Sequence, residues 1–499
     1  MSLSESHPFQ SKLRNIFWPI RRAELAKFVP MAGLMFCVLF NQNVLRILKD
    51  SILISEISAE VTSFTKVYCV TPAAAIFVII YAKMINHMTF DRIFYHLVAF
   101  FTGFYVIFAF VLYPNIDSFH MDREKLDFLM TAHPHFKWYI AILGNWTYIA
   151  FYTLCELWPN IFYILLFWQL ANEITTTNEA KRFYNLFSLF GNSSVIFVGL
   201  LMMHLSSEES IARTFFTTSD SKILLTQVAT SFVAISAVFS CLFVRYITKR
   251  VMTNPVLYLR SPEELSKNKM GLIDSFKYIA RSKYLWLLLI ASASFGLSMN
   301  LVEAVWKAKI KELYPSVTEY AAFSSIYILW TGVVIMILTI VGSNVMRRRN
   351  WFTAAVISPL IILVTGTMFF VLVVFEDAIL TLYEGIILTT PLALAVFVGA
   401  VQNILAKGSK YSIWDTSREM LYIPLDGELR TKGKAAVDVI SPKIGKSASG
   451  LVQSVIFTIL PTATYNSISS SLMMIFIVVC LLWIYSVRKI YFEYLKLIN

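Results

Sequence analysis

The chain has 499 residues, 57% of them hydrophobic and only 15% charged, where an ordinary soluble chain carries roughly 25% charged residues. This excludes a water-soluble globular domain and calls for an apolar solvent. The net charge of +12, 43 basic against 31 acidic residues, would suggest nucleic acid in a soluble protein. In a membrane protein such an excess marks cytoplasmic loops, and no nucleic-acid partner is expected.

Residues 1–28 are polar and carry Lys12, Arg14, Arg21, Arg22 and Lys27. Neither a cleavable apolar region nor a transit-type segment is present, so a cytoplasmic N-terminal segment is expected. A membrane span takes about 20 apolar residues. Twelve stretches qualify, at 29–47, 64–86, 94–113, 139–171, 184–205, 224–246, 285–306, 320–344, 352–375, 379–406, 436–461 and 468–488. Pro159 and Pro391 fall inside the fourth and tenth. The N-terminus, 178–183, 247–284, 346–350 and the tail 489–499 are basic, whereas 55–60, 206–210 and 375–378 are acidic or mixed. This alternation places both termini in the cytoplasm.

The expected fold is an all-α membrane protein of two six-helix bundles, 29–246 and 285–488, joined by a basic linker, 247–284. A weak internal repeat agrees with it. The first span ends Asn43-x-x-Arg46-x-x-x-Asp50 and the seventh Asn300-x-x-Glu303-x-x-x-Lys307; Pro159 and Asn172 match Pro391 and Asn403. Such duplication is the architecture of secondary transporters.

Asn43, Arg46, Lys49 and Asp50 share one helix face through steps of three and four, as do Asn300, Glu303 and Lys307. A lipid-facing charge near mid-bilayer costs roughly 2.5–3.5 kcal/mol, so both stripes should face an interior cavity. Glu156 lies deeper within the fourth span. The eleventh adds Asp438, Lys443 and Lys446, with Pro442, Gly445 and Gly450 expected to break its helix and aim backbone N–H groups into the cavity. Local pairing of Arg46 with Asp50, or Glu303 with Lys307, would explain either pair alone. The five cations Arg46, Lys49, Lys307, Lys443 and Lys446 outnumber Asp50, Glu156, Glu303 and Asp438, so a polyanionic substrate is expected.

Other features read as structure. Cys37, Cys69, Cys155, Cys241 and Cys480 are spaced as buried hydrophobes. His133 and His135 have no third metal ligand nearby, and neither a metal nor a cofactor is expected. "GKS" at 445–447 ends like a phosphate-binding loop, but Ile440 stands where its first glycine should be. The basic stretches 408–412 and 430–436 read as cytoplasmic loop, and Trp306 as helix packing rather than a base-stacking group. No nucleophile set points to an enzyme.

"LRILKDSILIS", "ELWPNIFYILLFWQLAN", "NLVEAVWKAKIKELYP", "KYSIWDTSREMLYIPLDGELRTKGKAAVDVI" and "GKSASG" resemble the ATP/ADP translocase family of Rickettsia, Chlamydia and plastids, the rickettsial members above all. The likeness runs over nearly the whole chain. It implies a major-facilitator-like carrier of the bacterial inner membrane that exchanges host ATP for ADP. It also implies essential roles for Lys49, Glu156, Glu303 and Lys446. The family's "GKSGG" reads "GKSAS" here, and Ala448 and Ser449 would add bulk beside Lys446. On this reading Lys49 and Lys446 grip phosphates, with Arg46, Lys307 and Lys443 in support, and Glu156 and Glu303 hold those cations between substrates. An empty, self-repelling cation cluster would then reorient poorly. The expected partners are nucleoside tri- and diphosphates and the lipid bilayer, with a monomer as the functional unit. Exchange of GTP, CTP or UTP, ion-coupled symport of another organic anion, and a membrane enzyme or receptor stay open as alternatives.

Overall fold

The computed structural model describes residues 20–207, 220–254, 282–348, 351–376, 378–379, 390–422, 424–425 and 434–498. Among them the chain is helical. Its long helices are α1 (Leu25–Glu56), α2 (Val61–His87), α3 (Phe90–Leu112), α4 (Trp146–Ile174), α5 (Thr177–Ser206), α6 (Ser221–Val251), α7 (Lys283–Leu313), α8 (Val317–Arg348), α9 (Trp351–Val374), α10 (Pro391–Met420), α11 (Lys434–Ile459) and α12 (Tyr465–Ile498). All except α11 contain stretches apolar and long enough to cross a membrane, eleven in total. At 1.5 Å per residue α1 runs roughly 48 Å, beyond the ~30 Å hydrocarbon layer, so its charged C-terminal third lies toward one end of the molecule.

The most buried apolar windows belong to α1, α4, α7 and α10, at 78%, 56%, 56% and 50%; α2 is lowest at 6%. These four are the first and fourth long helices on either side of residues 255–281. They form the inner layer, and the others face outward with residues such as Ile79, Phe100, Val238 and Val364 exposed.

The length of the fourth stretch anticipates a break, which the structure shows, while two other expectations change. The fourth stretch is interrupted at Asn145, between the short helix Lys137–Gly144 and α4. The tenth helix starts at Pro391, in the first turn where its missing N–H costs nothing, and runs to Met420. Residues 408–412 are therefore helix, not loop, and Pro391 does not match Pro159, which lies inside α4. Finally, α11 is continuous through Pro442. Neighbouring helices let a membrane helix keep a proline, and its glycines are contact surfaces. A Cβ on Gly445 would lie 2.9 Å from both Ala293 O and Gly296 Cα of α7, and one on Gly450 2.8 Å from Val67 Cγ2 of α2. Small residues bring membrane helices into such close approach. At the opposite crossing, a Cβ on Gly199 of α5 would meet Leu329 Cβ of α8 at 2.7 Å. The two halves thus meet along α2–α11 and α5–α8.

Candidate functional site

In each half a tryptophan fixes one inner helix against the other. Trp158 Nε1 of α4 donates to Val38 O of α1 at 3.2 Å, and the indole packs on Phe162 at 4.0 Å. Trp306 Nε1 of α7 donates to Val396 O of α10 at 2.8 Å, over Gly399, where a Cβ would meet the indole at 2.1 Å. Trp306 is therefore a packing residue, as expected. Two residues before Trp158, this anchoring carries Glu156 to the charged face of α1.

There the charges form one alternating chain. Glu156 lies 3.9 Å from Lys446 Nζ on one oxygen and 2.9 Å from Lys49 Nζ on the other. Lys49 also binds Asp50 at 2.7 Å, and Asp50 binds Lys307 at 2.8 Å. Lys307 lies 3.3 Å from Glu303, which lies 3.3 Å from Arg46. The order Lys446–Glu156–Lys49–Asp50–Lys307–Glu303–Arg46 crosses between the halves at its first, fourth and last links. Lys49 also sits over the Tyr152 ring at 4.3 Å. Buried charges persist in such a place only when paired on more than one side. The Lys49 side chain is 6% exposed, Arg46 32% and Lys446 64%, so the chain runs from a closed core to open ends. Arg46, Asp50, Glu303 and Lys307 also line a recess with Tyr320 and Tyr327.

Several expectations are revised. Glu303 and Lys307 do pair within α7, but Arg46 pairs across the boundary with Glu303 rather than locally with Asp50. The chain interleaves four cations with three carboxylates, so these seven charges are paired rather than set against one another. Asn43 turns back to Leu39 O in its own helix at 2.7 Å. Asn300 donates to Gly296 O and accepts from Lys66 Nζ at 3.4 Å. The side chains of Asp438 and Lys443 lie outside the described residues. Ser449 accepts from Gln453 Nε2 at 2.9 Å, and Gln453 Oε1 accepts from Tyr465 OH at 2.7 Å, so its hydroxyl is buried away from Lys446. His135 holds Thr458 O at 2.8 Å.

Sequence reasoning passed over Lys66, Lys407 and Lys410. Lys66 lies at the start of a π-helical stretch, Thr65–Val70, and Lys410 begins another, Lys410–Trp414. Such widened turns collect at functional sites. Lys410 pairs with Asp415 at 2.8 Å, and Lys407 donates to Tyr327 OH. The missed signal was a lysine within one turn of an apolar run.

Beyond the ion-pair chain, the Lys66–Asn300 contact and the α5–α8 seam, a set of contacts joins the halves at one end. Lys311 Nζ donates to Ile57 O at 2.9 Å, Tyr465 N to Glu60 Oε1 at 3.2 Å, and Trp138 meets Phe457 edge-on at 6.5 Å. These contacts gather the ends of α1, α7 and α11 with the start of α12. At the opposite end, polar contacts within each half include Lys27–Glu179 at 2.9 Å, Arg182–Glu24 at 2.6 Å, Lys283–Glu493 at 3.0 Å and Tyr284 OH to Leu421 O at 2.8 Å.

Two helical halves joined at one end around a shared polar core have the architecture of a major-facilitator-like membrane transporter fold. Solved structures agree with that fold. A bacterial homologue of the iron transporter ferroportin, in an inward-facing state, aligns over 93% of this chain and 100% of its own with a TM-score of 0.60 at 13% identity. A POT family transporter aligns over 92% and 96% with a TM-score of 0.57 at 10% identity. The family described as TLC ATP/ADP transporter matches residues 3–494, and the chain belongs to that family. It is 68% identical to ADP,ATP carrier protein 5 of Rickettsia bellii and 66% identical to that of Rickettsia prowazekii, over the full length of each. It is 41% identical to ADP,ATP carrier protein 1 of Rickettsia bellii, over 100% of this chain and 99% of that one.

Proposed function

We infer that the protein is a secondary antiporter that takes up ATP in exchange for ADP by alternating access, with no bond made or broken. The family and the names of its full-length relatives support the substrate pair. The observation that carries the mechanism is the seven-membered ion-pair chain crossing between the halves. Basic loops at the terminal end support a cytoplasmic position for that end, α11 brings the number of crossings to twelve, and the single chain is the working unit in the bacterial inner membrane. The contacts at Glu60, Lys311 and Tyr465 then close the exterior side.

Lys307 and Arg46 hold carboxylates of the opposite half, and Lys49 holds two of its own half, while no substrate is bound. Phosphate oxygens offer those cations a replacement anion, Lys446 being the most accessible, with Lys443 in support. Asp438, Asn43 and Asn300 belong to the helix scaffold around them. An empty carrier stays locked because opening would leave buried charges unpaired; an occupied one exchanges partners instead. That coupling makes transport an exchange.

Vesicles loaded with ADP should accumulate labelled ATP, and empty vesicles should not. Equal uptake into empty vesicles overturns the exchange.

A further inference from the structure

We propose that Lys66 and Lys407, one from each half, are the resting phosphate-binding cations of the cavity. This rests on the nucleotide reading above. Lys49 is held by Asp50 and Glu156, and Lys307 by Asp50 and Glu303, so each already has two carboxylates. Among the described residues, Lys66 and Lys407 have none at ion-pairing distance. Their polar partners are neutral: the Asn300 carbonyl oxygen for Lys66, and the Tyr327 hydroxyl for Lys407, whose ring it also overlies at 5.0 Å. Both lysines are half-buried.

The two belong to one site. The residue that holds each of them stands beside Glu303 of α7. Asn300, which holds Lys66, lies one turn before Glu303; Tyr327, which holds Lys407, lines the recess with Arg46 and Glu303. An ammonium within a membrane-spanning helix and without a counter-ion is costly. Two of them beside one carboxylate already claimed by Lys307 and Arg46 make a site for a mobile anion with several charges. Lysine serves phosphate as a point charge with three donors. A nucleotide's polyphosphate tail matches this chemistry, bridging α2 and α10 without first breaking the carboxylate chain. Entry and gating thereby separate: Lys66 and Lys407 receive the tail, and Lys49 and Lys307 respond to it.

The test uses the full-length carrier and two readouts, the KM for ATP in ADP-loaded proteoliposomes and the rise in melting temperature given by inorganic tripolyphosphate. Lys66→Gln and Lys407→Gln should each raise the KM about tenfold, the loss expected for one hydrogen bond to a charged group. The double variant should lose the tripolyphosphate shift, melt without the anion no lower than wild type, and recover the shift with Arg at both positions. A double variant with wild-type KM and shift overturns the proposal, as does a wild-type protein that tripolyphosphate does not stabilise. Failure of the nucleotide reading alone would show differently: no ATP–ADP exchange by wild type, with the tripolyphosphate shift intact and dependent on both lysines.

Discussion

Asp50 Oδ2 and Lys307 Nζ, from α1 of one half and α7 of the other, meet at 2.8 Å with both side chains under a tenth exposed. Asp50 also holds Lys49 through its other oxygen, so one carboxylate joins the halves and orients a lysine.

Removing one member of a buried pair costs roughly 3–5 kcal/mol because the other is left charged and unpaired. Asp50→Asn should therefore lower the melting temperature of the purified carrier sharply. Asp50→Asn combined with Lys307→Gln should recover part of the loss. A single variant as stable as wild type would show that this pair does not hold the halves together.

His135 and Thr458 join the halves at the closed end through the 2.8 Å contact to the Thr458 carbonyl. In a background lacking the five native cysteines, His135→Cys with Thr458→Cys should be linked by a short bismaleimide and lose exchange. Either cysteine alone, treated alike, should keep it. Linked protein that still exchanges would show that this end does not open.

Gly445 faces backbone on two sides, Ala293 O and Gly296 Cα, each 2.9 Å from where a Cβ would sit. Backbone does not move aside as a flexible side chain does, so Gly445→Ala should destabilise by about 1–3 kcal/mol, the range for overpacking. Exchange should fall as well, because Lys446 moves with the displaced helix. The melting curve and initial rate of Gly445→Ala check both.

His120 lies in the segment between α3 and α4, its Nε2 2.6 Å from Thr147 Oγ1 and its ring edge-on to Tyr148 at 4.6 Å. Burial, partly opposed by Asp117 and Glu56, pushes its pKa down from 6.5 to about 4. The unfolded chain takes up this proton near pH 6.5 while the folded one resists it until about 4. The contribution of the neutral ring is thus complete above pH 6.5 and is lost as pH falls toward 4. Melting temperature should fall across that window, and less steeply in His120→Gln.

The charged face of α1 and its counterpart on α7 were legible because charges at helical spacing inside an apolar run have few places to go. Glu156 stood out for the same reason. Their partners were not legible, since pairing depends on how α1, α4 and α7 pack, and local spacing suggested Arg46 with Asp50 where packing delivers Glu303. Lys407 was hidden by the boundary of the tenth helix. The apolar run from 379 drew the expected span toward the N-terminus, but Pro391 starts the helix and carries it through Lys407 and Ser412. Gly445 was misread because a glycine that loosens a helix and one that admits a neighbour look alike without the neighbour. Ser449 shows the same limit, its hydroxyl being engaged by Gln453 rather than turned to Lys446.

The alternating order of the seven charges makes the halves part collectively. Each carboxylate serves cations on both sides, so releasing any link shifts the load to the next, and the three crossings cannot fail independently. A ligand with a single negative charge could satisfy one bereaved lysine and leave the others stranded, whereas a compact polyvalent one can satisfy several at once. On the proposed mechanism, the topology of the network itself disfavours monovalent anions, before any group recognises a sugar or a base.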